Sequence, residues 1–173
     1  TAQSKSYSAS LSGDPLVPPV TTGAEGGFTA TYDADGISYT LWSDANQIAQ
    51  AHIHLGAAGE NGGVVAFLFG PADPPVDGIN VSGTIGEGDI LDGDLAALVT
   101  ALDSGNAYAN VHTVDNPGGE VRGQIAVAAA GLPSTGTGGL AGTGSDSAIW
   151  IWALLAAGLT LTAGVAVRRV SQR

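Results

Sequence analysis

The sequence predicts an all-β fold, an antiparallel Greek-key-like sandwich or barrel with one short helix, followed by a single C-terminal transmembrane helix. Three observations carry this expectation. Short runs alternate polar and apolar residues at the period of a strand, and glycine, proline and aspartate turns separate them at close intervals. Only residues 94–102 have a helical pattern within the first 128 residues. Residues 149–167 are uncharged and largely apolar, as a membrane helix requires.

Taken in order, residues 6–11 alternate Ser-Tyr-Ser-Ala-Ser-Leu up to Gly13, a first strand and its turn. Pro15, Pro18 and Pro19 follow, and prolines at that density cannot continue a ladder, so this segment is an extended crossing. Residues 28–32 and 37–42 alternate on either side of Asp33-Ala34-Asp35-Gly36, the pattern of a hairpin. That acidic turn lacks the remaining ligands of a twelve-residue calcium loop. Residues 47–56 form the next strand, with a glycine-rich turn at 59–63. Residues 64–69, Val-Val-Ala-Phe-Leu-Phe, are a continuous apolar run of strand length, the type expected to be buried on both faces. Residues 79–85 alternate again. In the helical segment Asp94 or Asp92 can cap the start and Ser104-Gly105 can supply the stop. Glu87, Asp89, Asp92 and Asp94 fit turn and helix N-terminus chemistry, where carboxylates are stabilised by the helix dipole. Residues 108–113 form a further strand, 114–119 a turn, and 120–127 one closing strand.

This gives residues 1–128 as an extracytoplasmic β domain, 129–148 as a linker of Gly, Ser, Thr and Ala, 149–167 as the membrane span and 168–173 as a basic cytoplasmic tail. The 19-residue span measures about 28 Å as a helix, close to the hydrocarbon thickness of a bilayer. Arg168 and Arg169 follow it directly, which places the C-terminus in the cytoplasm. Ala153, Ala156, Ala157, Thr160 and Gly164 form a small-residue face of the kind that lets another helix approach. A chain starting at Thr1 is expected to have lost a signal peptide. Leu132-Pro133-Ser134-Thr135-Gly136 resembles the sorting signal at which a sortase cuts after Thr and joins the protein to the cell wall. The spacer from Gly136 to Ala148 is longer than the usual tail of that type, so a retained anchor is the preferred reading and wall attachment the alternative.

Sixteen acidic residues stand against five basic ones, and all but Asp146 of the acidic set precede the linker, where the basic residues are only Lys5 and Arg122. A surface this acidic repels phosphate backbones, which excludes a nucleic-acid partner and favours cations or basic proteins. With no cysteine, stability must come from packing and pairing, or from a metal, rather than from disulfides. No nucleophile elbow or phosphate loop is present, so no enzymatic activity is expected.

All three histidines lie in two strand-like stretches. His52 and His54 are two apart and leave the same face of a strand, and His112 shares its face with Tyr108 and Asn110. If the strands are neighbours, the imidazoles converge as ligands for copper or zinc, with Asp115 or Glu120 able to complete the site. The alternative is that they hydrogen-bond buried backbone or carboxylates, with Arg122 paired to Glu120 or a nearby carboxylate as a fold staple.

Four segments in order, Leu11-Ser12-Gly13 with Val17-Pro18-Pro19-Val20, Ala51-His52-Ile53-His54-Leu55-Gly56, Gly105 with Tyr108-Ala109-Asn110-Val111-His112-Thr113, and Pro117-Gly118-Gly119-Glu120-Val121-Arg122-Gly123-Gln124, resemble the CHRD domain, the module named after chordin and found in many bacterial surface proteins. The resemblance covers about residues 5–128 and implies an all-β domain without established catalysis. In chordin, growth-factor binding belongs largely to cysteine-rich modules, and without cysteine it is not carried over. The His-x-His pair is also similar to that of copper-zinc superoxide dismutases, although their other ligands are not recognisable here. The leading expectation is therefore a non-catalytic, membrane-anchored interaction or accessory module, a subunit of a larger membrane complex. The second is a histidine-based copper or zinc protein. The third is a sortase-anchored wall protein.

Overall fold

The computed structural model describes residues 4–128, and within them nine strands form two antiparallel sheets. The strands are β1 (Lys5–Leu11), β2 (Gly26–Asp33), β3 (Gly36–Ser43), β4 (Ile48–Leu55), β5 (Val64–Phe69), β6 (Ile79–Ile85), β7 (Ala107–Thr113), β8 (Val121–Gln124) and β9 (Ala126–Val127), with helix α1 (Leu95–Asp103) between β6 and β7. One sheet has the order β6-β3-β2-β1-β9 and the other β5-β4-β7-β8. From β3 the chain crosses to the second sheet, makes the β4–β5 hairpin and returns as β6 beside β3, the Greek-key connection. Of the two closures the sequence permits, the molecule takes the sandwich.

Alternation explains the core. Tyr7, Leu11, Phe28, Ile37, Leu41 and Ile85 point inward from the first sheet and meet Ala51, Ile53, Val65, Val111 and Val121 from the second, all buried. Between them on the first sheet, Ser8, Thr29, Thr40 and Ser82 align across four strands and are exposed. The second sheet differs, because every residue of β7 is buried. Its core face packs on the first sheet, and its outer face lies beneath loops. Leu16, in the proline-rich crossing, is buried against this face, and Asn61 Nδ2 ties the glycine-rich loop to Val17 O at 2.7 Å. This covered outer face holds the histidines.

Two strand expectations change. The apolar run of β5 is an edge strand paired only with β4 among the described residues, and its Phe67 is 42 % exposed. Its free side is blunted locally, since the Tyr39 hydroxyl donates to Leu68 O and Leu91 N donates to Val65 O. The expected closing strand is split. Ile125 is fully buried and its N–H donates to Ala107 O, and the chain then crosses to pair Ala126 and Val127 with β1. Reciprocal bonds between Ser12 and Arg122 join the two sheets along this side.

Helix α1 starts where expected: the Asp94 side chain accepts from Ala97 N at 2.7 Å. Glu87 accepts from Leu95 N and Asp89 from Gly86 N, so the acidic cluster serves the turn and the helix start. Leu98 and Leu102 of α1 complete the core. No helix among the described residues is long and apolar enough to cross a membrane. The linker at 129–148 with its Leu-Pro-Ser-Thr-Gly segment, the expected span at 149–167 and the tail at 168–173 lie outside the described residues.

Candidate metal centre

Register brings the histidines together. β4 and β7 are antiparallel neighbours with Gln50 opposite His112, His52 opposite Asn110 and His54 opposite Tyr108. Both His52 and His54 leave the outer face of β4; His112 stands diagonally across from His52 and one same-face position further from His54. His52 Nδ1 lies 3.1 Å from His112 Nε2, and His54 Nε2 lies 3.4 Å from that same nitrogen. One ring nitrogen from each of the three residues falls within 4.8 Å of the others. The side chains are only 3, 7 and 6 % exposed.

The far side of the rings fixes the protons. His54 Nδ1 lies 3.0 Å from Gly62 O, and His112 Nδ1 lies 3.0 Å from Pro117 O. A carbonyl oxygen only accepts, so each Nδ1 carries the hydrogen and each Nε2 of the neutral ring presents a lone pair. These two lone pairs face one another, and no hydrogen bond joins them. A proton could bridge them only if a ring became charged, which burial opposes. Burial first, and then the neighbouring imidazoles, pull His52 down to about 4. His54 is lowered by burial and by the nearby Arg122 charge, and His112 by burial and His54, with the carbonyl contacts opposing only in part.

The loops that supply these carbonyls are set by local sequence. Gly62 sits where a Cβ would collide with Leu55 O, so only glycine lets its carbonyl approach β4. Tyr108 stacks on His54 at 4.9 Å and 8°, and its hydroxyl accepts from Gly62 N at 3.0 Å. Asn110 Nδ2 donates to Gly118 O in the turn that carries Pro117. Phe67 covers the His52 ring edge-on at 4.5 Å. Among the described residues, His52 Nε2 and Asn110 Oδ1 are the buried side-chain atoms without a partner, and they belong to directly opposed residues.

Arg122 corrects an expectation. Among the described residues it pairs with no carboxylate; its guanidinium lies 3.4 Å over the Tyr108 ring and donates to Ala57 O and to the side-chain oxygens of Asn61 and Gln124. Glu120 is engaged elsewhere, accepting from Thr22, Thr113 and Asn116. Burial works against its ionised form, but these donors prevail and hold its carboxyl below the ordinary value. Asp115 is exposed, and neither acidic residue belongs to the converging group.

Sequence reasoning found the three imidazoles and the shared face of Tyr108, Asn110 and His112. It missed the contacts of Gly62, Pro117 and Phe67, whose only sequence signals were the glycine-rich turn, the Pro-Gly-Gly turn and an apolar strand. Chemically the cluster is a set of neutral nitrogen donors, two of them oriented through backbone carbonyls in the manner of metal-ligating histidines. Such a cluster can hold a metal ion.

No curated protein and no solved structure matches the chain. The CHRD domain model matches residues 7–125, from the first core residue of β1 to the buried Ile125 between the sheets. Strands β2 to β8, most of β1, helix α1 and the covering loops fall within that match, and the chain belongs to the CHRD domain family.

Proposed function

We propose that this CHRD domain is a non-catalytic metal-binding module that holds a copper or zinc ion through His52, His54 and His112. One observation carries the reading: the His54 and His112 lone pairs face each other at 3.4 Å, with both outer nitrogens committed to carbonyls. Bonds of about 2.0–2.1 Å at a tetrahedral angle separate donor nitrogens by about 3.3 Å, close to the 3.1 and 3.4 Å distances found here. Without a metal the His112 Nε2 lone pair accepts from His52 Nδ1–H while that of His54 has no donor; a metal ion would take both lone pairs, with His52 joining as the tautomer that carries its hydrogen on Nε2. The test is metal analysis by inductively coupled plasma mass spectrometry of the full chain in mild detergent, beside the His52→Ala, His54→Ala double variant. Near-stoichiometric copper or zinc that is lost in the variant supports the reading. A wild-type chain that is empty and takes up neither metal when added overturns it.

The module is proposed to sit outside the cell membrane, anchored by residues 149–167, as an accessory subunit whose protein partner contacts the acidic domain or the small-residue helix face. CHRD membership supports an extracellular accessory role. Sortase attachment through Thr135 is the competing anchorage. Intact mass separates the two, and co-purification in mild detergent tests for the partner.

A further inference from the structure

We infer that the metal this site selects is monovalent copper. The inference rests on the metal-binding reading above and narrows it from two metals to one, on grounds of charge, ligand number and space.

The charge around the three rings is neutral or positive. The group of converging ligand atoms contains no carboxylate oxygen. Glu120 spends its oxygens on Thr22, Thr113 and Asn116, and Asp115 faces solvent. The formal charge stacked into this layer is the Arg122 guanidinium, which lies over Tyr108, which in turn stacks on His54. Arg122 is 1 % exposed, and its bonds go to a carbonyl and two amide oxygens, so no carboxylate among the described residues offsets it there. A divalent ion would add two charges to a buried layer that already holds an uncompensated cation. Ion burial energy grows with the square of the charge, so a monovalent ion incurs about one quarter of that penalty.

Ligand number points the same way. Zinc in proteins takes four ligands, and divalent copper favours tetragonal surroundings, so either ion needs at least one donor beyond three imidazoles. The aromatic edge of Phe67 stands against His52, and that group offers no donor. Monovalent copper is stable with two or three ligands and accepts neutral imidazole. Three converging neutral nitrogens, two of them oriented by carbonyls and with no carboxylate among them, match that ion.

The experiment is an anaerobic competition on the full chain in mild detergent. Monovalent copper is supplied in complex with a chromophoric copper(I) chelator under reductant, and zinc is added as its sulfate in parallel. The expected result is withdrawal of one copper equivalent from the chelator, with an X-ray absorption edge of three-coordinate copper(I), undisturbed by a tenfold excess of zinc. A His112→Gln variant is expected to leave the copper on the chelator while keeping the β-sheet circular dichroism of the parent. Zinc that displaces the copper would overturn this inference and leave the metal-binding reading standing. Failure of both metals to bind would overturn both.

Discussion

His52 makes the covered sheet face sensitive to acid. Its folded value near 4 lies below the ordinary 6.5, so between those values the unfolded chain binds more protons than the native one. His52 therefore makes metal-free protein lose stability as pH falls from about 6.5 to about 4, and its contribution is complete below that window. Urea midpoints measured in chelator at several pH values check this, and His52→Ala should remove part of the slope. Arg122 is the other residue on which the layer depends. Arg122→Met would leave Ala57 O and the Gln124 and Asn61 amides short of a donor and would remove the stack on Tyr108. A loss of about 2–4 kcal/mol is expected in chemical denaturation. Lysine should not restore it, because a point charge cannot make the forked contacts.

Loops and caps carry the predictions at the scale of elements. A methyl group at Gly62 collides with the carbonyl of Leu55, so Gly62→Ala should lift the loop and withdraw the acceptor of His54 Nδ1. Metal affinity is expected to fall about 10- to 100-fold, the usual effect of losing a group that orients a ligand, as read by chelator competition. If affinity is unchanged, the carbonyl does not orient the ring. Helix α1 gives an independent check on the scaffold. Its Asp94 cap is local, so Asp94→Ala should cost about 1 kcal/mol of stability and leave metal content unaltered. The Lys5–Asp103 ion pair, 45 and 36 % exposed, ties β1 to the end of α1 but contributes little on its own. The Tyr7 hydroxyl, donating to the same carboxylate from a buried ring, is the firmer link.

At the scale of the whole molecule, the sandwich has two unlike outer faces. The five-stranded sheet shows serine and threonine to solvent, while the four-stranded sheet is roofed by the proline-rich crossing, the glycine-rich loop and the 114–120 turn. Removal of residues 149–173 is expected to shift the chain from the membrane pellet to the soluble fraction after cell lysis, checked by immunoblot of both fractions. Retention in the pellet would count against the proposed span.

The sequence alone determined the strand periods, the hairpin at residues 33–36, a helix cap at Asp94 or Asp92 and the shared face of His52 and His54. These depend on neighbours a few residues apart, which hydrophobic pattern and turn chemistry report directly. It also carried the CHRD resemblance, because ordered motifs survive without any knowledge of pairing. Only the tertiary structure decided that β5 lies at an edge, that the last strand divides at Ile125 to serve both sheets, and that Arg122 stacks on Tyr108 instead of pairing with Glu120. Each depends on residues distant in sequence, and alternation cannot say which strand lies beside which. The convergence of the imidazoles has the same origin: His112 meets His52 and His54 because β7 pairs with β4 in one register, and a shift of one residue would turn its ring into the core.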